Sequence, residues 1–181
     1  MKIKENEFYK LLVRPTVVIS TISKNGVSNA APFSWNSPVS SRPPLFGFAC
    51  NVKHDTWRNI KLNKEFVVNL VGEKFGPLMN ILERDFPYEV SEIMEAELTE
   101  MKSSKVKPPR IAESFGWLEC LMVNHIEVFN YIWIIGQVLE VEVKKGSINE
   151  VIDVEKVKPL NHIFGKSFVT EMKISQFKRA K

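Results

Sequence analysis

The chain has 181 residues, 44% hydrophobic and 25% charged, and its 25 Lys+Arg against 21 Asp+Glu leave a formal net charge of +4. That length can bury a full single-domain core without metal or disulfide staples, and the two cysteines, Cys50 and Cys120, form no spaced cluster of the kind a zinc site or a disulfide scaffold uses. No apolar run approaches the roughly 20 residues of a membrane span and Met1 to Lys10 is too charged for the core of a signal peptide, so the expectation is one cytoplasmic domain spanning residues 1–181.

The first readable element is the β-branched stretch Thr16 to Ser23. It ends at Lys24-Asn25-Gly26, a strong short-range hairpin signal, so Val27 to Phe33 should return antiparallel. After a proline-punctuated crossing from Pro38 to Pro44, Leu45 to Cys50 is apolar on both sides and predicts a central, buried strand. Asp55 to Lys64 has the spacing of a short helix, with Asp55 placed as its cap. Phe66 to Val71 reads as a further strand. Gly76, Pro77 and Pro87 break the segment from Phe75 to Glu95 into short helices joined by irregular backbone.

Two long strands follow, Trp117 to Phe129 and Tyr131 to Val143, around a tight turn at Asn130. Both are apolar on both faces. Such a pair needs a core on one side and another cover on the other, for which a subunit interface is the simplest candidate. About six antiparallel strands with few helices predict a β-barrel. Residues 171–181, with Lys178, Arg179 and Lys181, read as a solvated basic terminus rather than a nucleic-acid arm. The tryptophans are not interleaved with a Lys/Arg stripe, which argues against a single-strand-binding groove.

No GxGxxG or GxxxxGK[ST] occurs, and no GxSxG or HExxH, so a Rossmann turn, a P-loop, a serine elbow and a zincin helix are all excluded. His54, His125 and His162 are scattered and predict no metal site. One constellation stands out. Asn51 to Asn59 leaves a buried strand and opens a helix, and so brings free backbone N–H groups, the Thr56 hydroxyl and the cations Lys53 and Arg58 into one turn. That chemistry suits a phosphate dianion, with Asn51 and Thr56 adding neutral donors. An ordinary capped helix with a solvated basic rim would look the same.

A second segment, Ala30 to Pro44, mixes small residues, Phe33 and Trp35 with many short polar side chains, a pattern that fits neither a regular strand nor a helix. Small residues let backbone groups approach the edge of a flat heteroaromatic ring, while Phe33 and Trp35 offer faces. A proline-rich loop tucked against the barrel reads equally well.

At these residues the sequence resembles the flavin reductase-like family of FMN-binding split barrels, which includes flavoredoxins. The similarity runs through Arg14-Pro15-Thr16-Val17-Val18-Ile19-Ser20-Thr21, Asn29-Ala30-Ala31-Pro32-Phe33-Ser34, Pro38-Val39-Ser40-Ser41 and Pro43-Pro44-Leu45. It continues in Asp55-Thr56, Asn59-Ile60, Glu65 to Asn69, Pro108 to Glu113, Leu118-Glu119-Cys120 and Ile135-Gly136-Gln137-Val138. The core it covers extends from about Arg14 to about Gly165.

The resemblance implies a mainly β, six-stranded antiparallel split barrel that forms a homodimer with FMN near the interface. By position, Ser34, Trp35, Asn36 and Ser37 would line the isoalloxazine edge with Ser40 nearby, and Cys50, Asn51, Lys53 and Thr56 would hold the ribityl and phosphate groups. NADH or NADPH is the implied electron donor. The implied activity is flavin-dependent oxidoreduction of the NAD(P)H:flavin reductase type, the alternative being a non-catalytic electron carrier or flavin store. With no evident acid or base, the protein's part would be positioning. Two departures stand out: Gly165-Lys166-Ser167-Phe168 lacks a Tyr that relatives often carry there, and Tyr131-Ile132-Trp133 is bulkier than the family pattern.

Overall fold

The computed structural model describes residues 1–178, so Arg179 and Lys181 of the expected basic tail lie outside the described residues. A 3₁₀ segment (Glu5–Leu11) precedes β1 (Arg14–Pro15), β2 (Val17–Ile22), β3 (Ser28–Phe33), β4 (Asn36–Ser41), β5 (Pro44–Asn51), α1 (Asp55–Asn63) and β6 (Glu65–Leu70). A second 3₁₀ segment (Glu73–Leu78) runs into α2 (Met79–Leu82), followed by α3 (Glu92–Glu95), β7 (Glu100–Met101) and β8 (Arg110–Ile111). The long strands β9 (Gly116–Val128) and β10 (Tyr131–Val143), then α4 (Val154–Val157), β11 (Asn161–Phe164) and β12 (Ser167–Val169) complete the order.

Seven strands form one antiparallel sheet in the order β3-β2-β6-β9-β10-β5-β4. The chain is mainly β, with short peripheral helices, as expected. The seventh strand is β4, in the segment whose prolines argued against a regular strand. Because β4 lies at the sheet edge, the missing N–H of Pro38 breaks no interior ladder, and a bulge between Pro38 and Ser40 absorbs the irregularity. β5 is therefore second from the edge rather than central, although Phe46, Gly47, Phe48 and Cys50 are buried as expected. The sheet curls until Phe33 of β3 meets Phe48 of β5, ring centroids 4.9 Å apart. Side chains, not a ladder, close that seam.

Strand alternation explains why both faces read as apolar. Val17, Ile19, Phe66, Val68, Cys120, Ile132 and Ile134 point into the barrel with Phe48, while Trp57 and Ile60 of α1 plug its end. The opposite side chains Val18 and Ala30 pack on Phe75, Met79, Leu82 and Ile93, and Val67 packs on Trp117 and Val106. Gly136 of β10 is required by close approach: a Cβ there would stand 2.4 Å from Phe66 Cζ. At the first hairpin Gly26 takes φ +82°, with Ser23 and Val27 closing the turn, as the Asn-Gly pair predicts. Among the described residues no helix is long and apolar enough to cross a membrane.

Candidate functional site

The site begins where β5 ends. Phe46, Phe48 and Cys50 anchor β5 in the barrel, and Asn51 to His54 then turn the chain into α1. The cap of α1 is His54, not Asp55, and no side chain caps the helix. Asp55 occupies the first helical position, where its charge complements the helix dipole but its oxygens cannot reach the free amides. The Trp57 and Arg58 amides bond to the His54 carbonyl, which leaves the N–H groups of Asp55 and Thr56 as the unpaired donors of the first turn.

These donors border a cleft of about 600 Å³. One wall is the strand-to-helix turn with Asn51, Lys53, His54, Asp55 and Thr56. A second is β3, with Asn29, Ala31 and Pro32, and the third is Leu82 to Phe86, with Glu92 behind. Small β3 residues let a flat group lie against the backbone. A phosphate would meet Lys53 and the open helix end together.

Acidic groups outnumber basic ones in this lining, and their placement decides where an anion can sit. Burial raises the Asp55 carboxyl, Arg58 pulls it back, and Asp85 and Glu89 push it up again. Glu92 is buried and spent on Asn29 and the Ala30 amide. Glu83 and Asp85 belong to the third wall, with Asp85 close enough to act on both Asp55 and His54. Lys53 and the α1 amides make the strand-to-helix turn the favourable place for negative charge, with Asp55 and Asp85 opposing it. His54 adds no dependable cation, since loss of hydration lowers its pKa against the upward pull of Asp55 and Asp85.

The expected site residues fall into two groups. Asn51, Lys53 and Thr56 come together in the cleft. Asn51 Oδ1 accepts from the Lys53 amide at 3.0 Å, and the Thr56 hydroxyl donates to Asn29 Oδ1 at 3.1 Å. Cys50 lies beside them with its thiol fully buried and its pKa pushed up to about 12 by that burial. Phe33, Ser34, Trp35, Asn36, Ser37 and Ser40 lie outside this lining.

In that second group Phe33 is a core ring, and Ser34 Oγ approaches His162 Nδ1 at 3.3 Å. The Asn36 amide is spent on the Pro15 and Phe33 carbonyls at 2.8 and 3.0 Å. Ser37 donates to the Pro38 carbonyl, and Ser40 accepts from the Arg42 amide. Trp35 is exposed and stacks on Tyr131, centroids 5.7 Å apart at 21°. Tyr131 is paired in register with Asn51, so the two groups adjoin at the end of β5.

Ala31 and Pro32 belong to the segment read as a ring wall; the cleft residues that sequence reasoning did not single out are Asn29, Glu92 and the Leu82 to Phe86 wall. The Asn-Ala-Ala-Pro run was a usable signal for Asn29. Nothing local marked Glu92 or the third wall, which reach the cleft only through the tertiary fold.

Residues 9–169 match the family model described as "Flavin reductase like domain". An uncharacterized protein of Aquifex aeolicus is 36% identical over 173 residues, which is 89% of this chain and 88% of that one. Nitrilotriacetate monooxygenase component B from Bacillus cereus superposes with a TM-score of 0.88 at 26% identity, covering 98% of each chain. Flavoredoxin of Desulfovibrio vulgaris superposes with a TM-score of 0.84 at 18% identity, again over 98% of each chain, a likeness of fold.

Proposed function

Because the chain belongs to the flavin reductase like domain family, we propose that it is an FMN-binding oxidoreductase of the NAD(P)H-dependent flavin reductase type. The observation that carries the reading is the uncapped start of α1 beside Lys53, opening into a cleft walled by Ala31 and Pro32. Asn51, Lys53 and the Asp55 and Thr56 amides would hold the ribityl phosphate, and the β3 backbone would support the ring. When bound, FMN supplies the redox chemistry, taking up a hydride or electron pair from a pyridine nucleotide and passing it to an acceptor.

The residues would bind and orient FMN; the thiols of Cys50 and Cys120 are fully buried and raised in pKa by that burial, so the contribution of Cys50 to holding the ribityl chain would come through its backbone. Trp35, stacked on Tyr131 next to Asn51, would border the open side. The test is anaerobic mixing of the FMN-loaded protein with NADH and with NADPH. Rapid bleaching of the yellow absorbance by either is expected, and a flavin that stays oxidised with both assigns the protein to the carrier or store class.

The homodimer belongs to the same proposal. Leu121, Val123, Ile126, Val128, Phe129, Tyr131 and Val141 are exposed along the β9–β10 hairpin, an apolar strip of the kind that subunit contacts cover. Val123→Glu with Ile126→Glu is expected to convert a dimer into a folded monomer in light scattering. A wild-type monomer at micromolar concentration would contradict this.

A further inference from the structure

Behind the cleft wall lies a chain of buried polar side chains. Thr21, Asn29, Thr56, Asn59 and Glu92 are each no more than 8% exposed. Asn29 Nδ2 donates to both Glu92 oxygens at 3.1 and 3.0 Å, and the Ala30 amide donates to Glu92 Oε2 at 3.1 Å. Asn29 Oδ1 therefore faces the other way and can only accept. Thr21 and Thr56 each donate to it at 3.1 Å. Thr21 Oγ1 in turn accepts from Asn59 Nδ2 at 3.0 Å, and Asn59 Oδ1 accepts from Tyr88 at 2.6 Å. A hydroxyl has one hydrogen, so each bond fixes the next.

We propose that Glu92 is a positioning residue whose carboxylate sets the hydrogen-bond polarity of this wall, so that the Thr56 hydroxyl hydrogen is committed inward to Asn29 and only the Thr56 backbone N–H serves the phosphate. The inference rests on the FMN reading above. An amide in place of the Glu92 carboxylate presents a donor to Asn29 Nδ2 where an oxygen stood. Asn29 then turns over, its Nδ2 faces Thr56, and the Thr56 hydroxyl hydrogen is released toward the cleft.

The test is fluorescence titration with FMN and with riboflavin, which lacks the phosphate, the preference for FMN being the readout. It uses the wild type, Thr56→Val, Thr56→Ser, Glu92→Gln and the double variant Glu92→Gln with Thr56→Val, with folding followed by circular dichroism. The wild type is expected to prefer FMN by about tenfold or more, as charge-assisted contacts require. With Glu92 in place, Thr56→Val and Thr56→Ser should change that preference by no more than about twofold, the scatter of uncoupled sites. In the Glu92→Gln background Thr56→Val should lower it by about fivefold or more, a coupling that a purely structural role would not produce.

A loss of about tenfold for Thr56→Val that Thr56→Ser restores would overturn the inference and leave the phosphate site standing, as would the absence of coupling. Equal wild-type affinity for FMN and riboflavin would instead remove the phosphate reading and the inference with it. Should Glu92→Gln fail to fold, Asn29→Ala, which removes the acceptor of the Thr56 hydroxyl, takes its place: Thr56→Val should then lower the preference by about fivefold, and the absence of such a loss would overturn the inference.

Discussion

Arg110→Met is expected to destabilise the fold by about 3–5 kcal/mol, the cost of leaving a buried charge without its partner. Arg110 is 5% exposed and Glu119 fully buried. The guanidinium reaches Glu119 Oε1 through Nε at 2.7 Å and through NH2 at 2.6 Å, and its NH1 bonds Glu142 on β10. Glu119 also accepts from the Ser104 and Lys105 amides, at 2.8 and 2.5 Å. The pair thus fastens the loop between β7 and β8 to β9. A domain of this kind has only about 5–15 kcal/mol in total, so the urea midpoint should fall steeply. Arg110→Lys should recover only part, because one ammonium cannot reach Glu119 with two donors and Glu142 with a third.

The same pair has a pH signature. Burial alone would raise the Glu119 pKa, but the Ser104 and Lys105 amides and Arg110 outweigh it and hold the carboxyl below its ordinary range. A depressed folded pKa contributes stability that is present above the unfolded value of about 4.3 and is lost as pH falls through the folded one. The penalty of Arg110→Met should therefore be full at pH 7 and shrink in acid, where Glu119 is protonated with or without Arg110. A penalty independent of pH would mean that lost packing, not charge, is responsible. Flavin affinity per folded molecule should not change, since neither residue lines the cleft.

How far the sequence could be read follows from where the information lies. β2, β3 and the Asn-Gly turn between them were readable because hairpin signals are local, and the β9–β10 pair because both strands are long. β4 was not. A strand with Pro38 is tolerable only at an edge, and edge position is a property of the whole sheet. The end of the cleft proposed to hold the phosphate was readable at Lys53 and Thr56, where strand, turn and helix are consecutive. The small residues of its β3 wall, Ala31 and Pro32, were readable within Ala30 to Pro44, but Glu92 and the Leu82 to Phe86 wall were not, because they reach the cleft only after the segment after β6 folds back over β3. Asp55 looked like a cap by composition, yet His54 took that place, a shift of one residue that leaves the helix end open for a ligand.

That open end sets the second large effect. Lys53→Ala is expected to weaken FMN binding by about tenfold at low ionic strength and Lys53→Glu by about a hundredfold, with riboflavin affinity nearly constant. The single-charge loss lies at the low end for a charge-assisted contact because Lys53 is exposed, and its attraction for a phosphate is screened by water and salt. Near 1 M salt, where the Debye length is about 3 Å, the Lys53→Ala penalty should shrink while a residual preference for FMN persists through the Asp55 and Thr56 amides, which are fixed in the backbone. Arg84→Ala provides the contrast. Arg84 lines the cleft between Glu83 and Asp85 in the chain, whose charges offset its own, so its removal should cost less than that of Lys53. If Arg84→Ala instead abolished the preference and Lys53→Ala left it intact, the phosphate would lie on the third wall, and the start of α1 would be merely an uncapped helix.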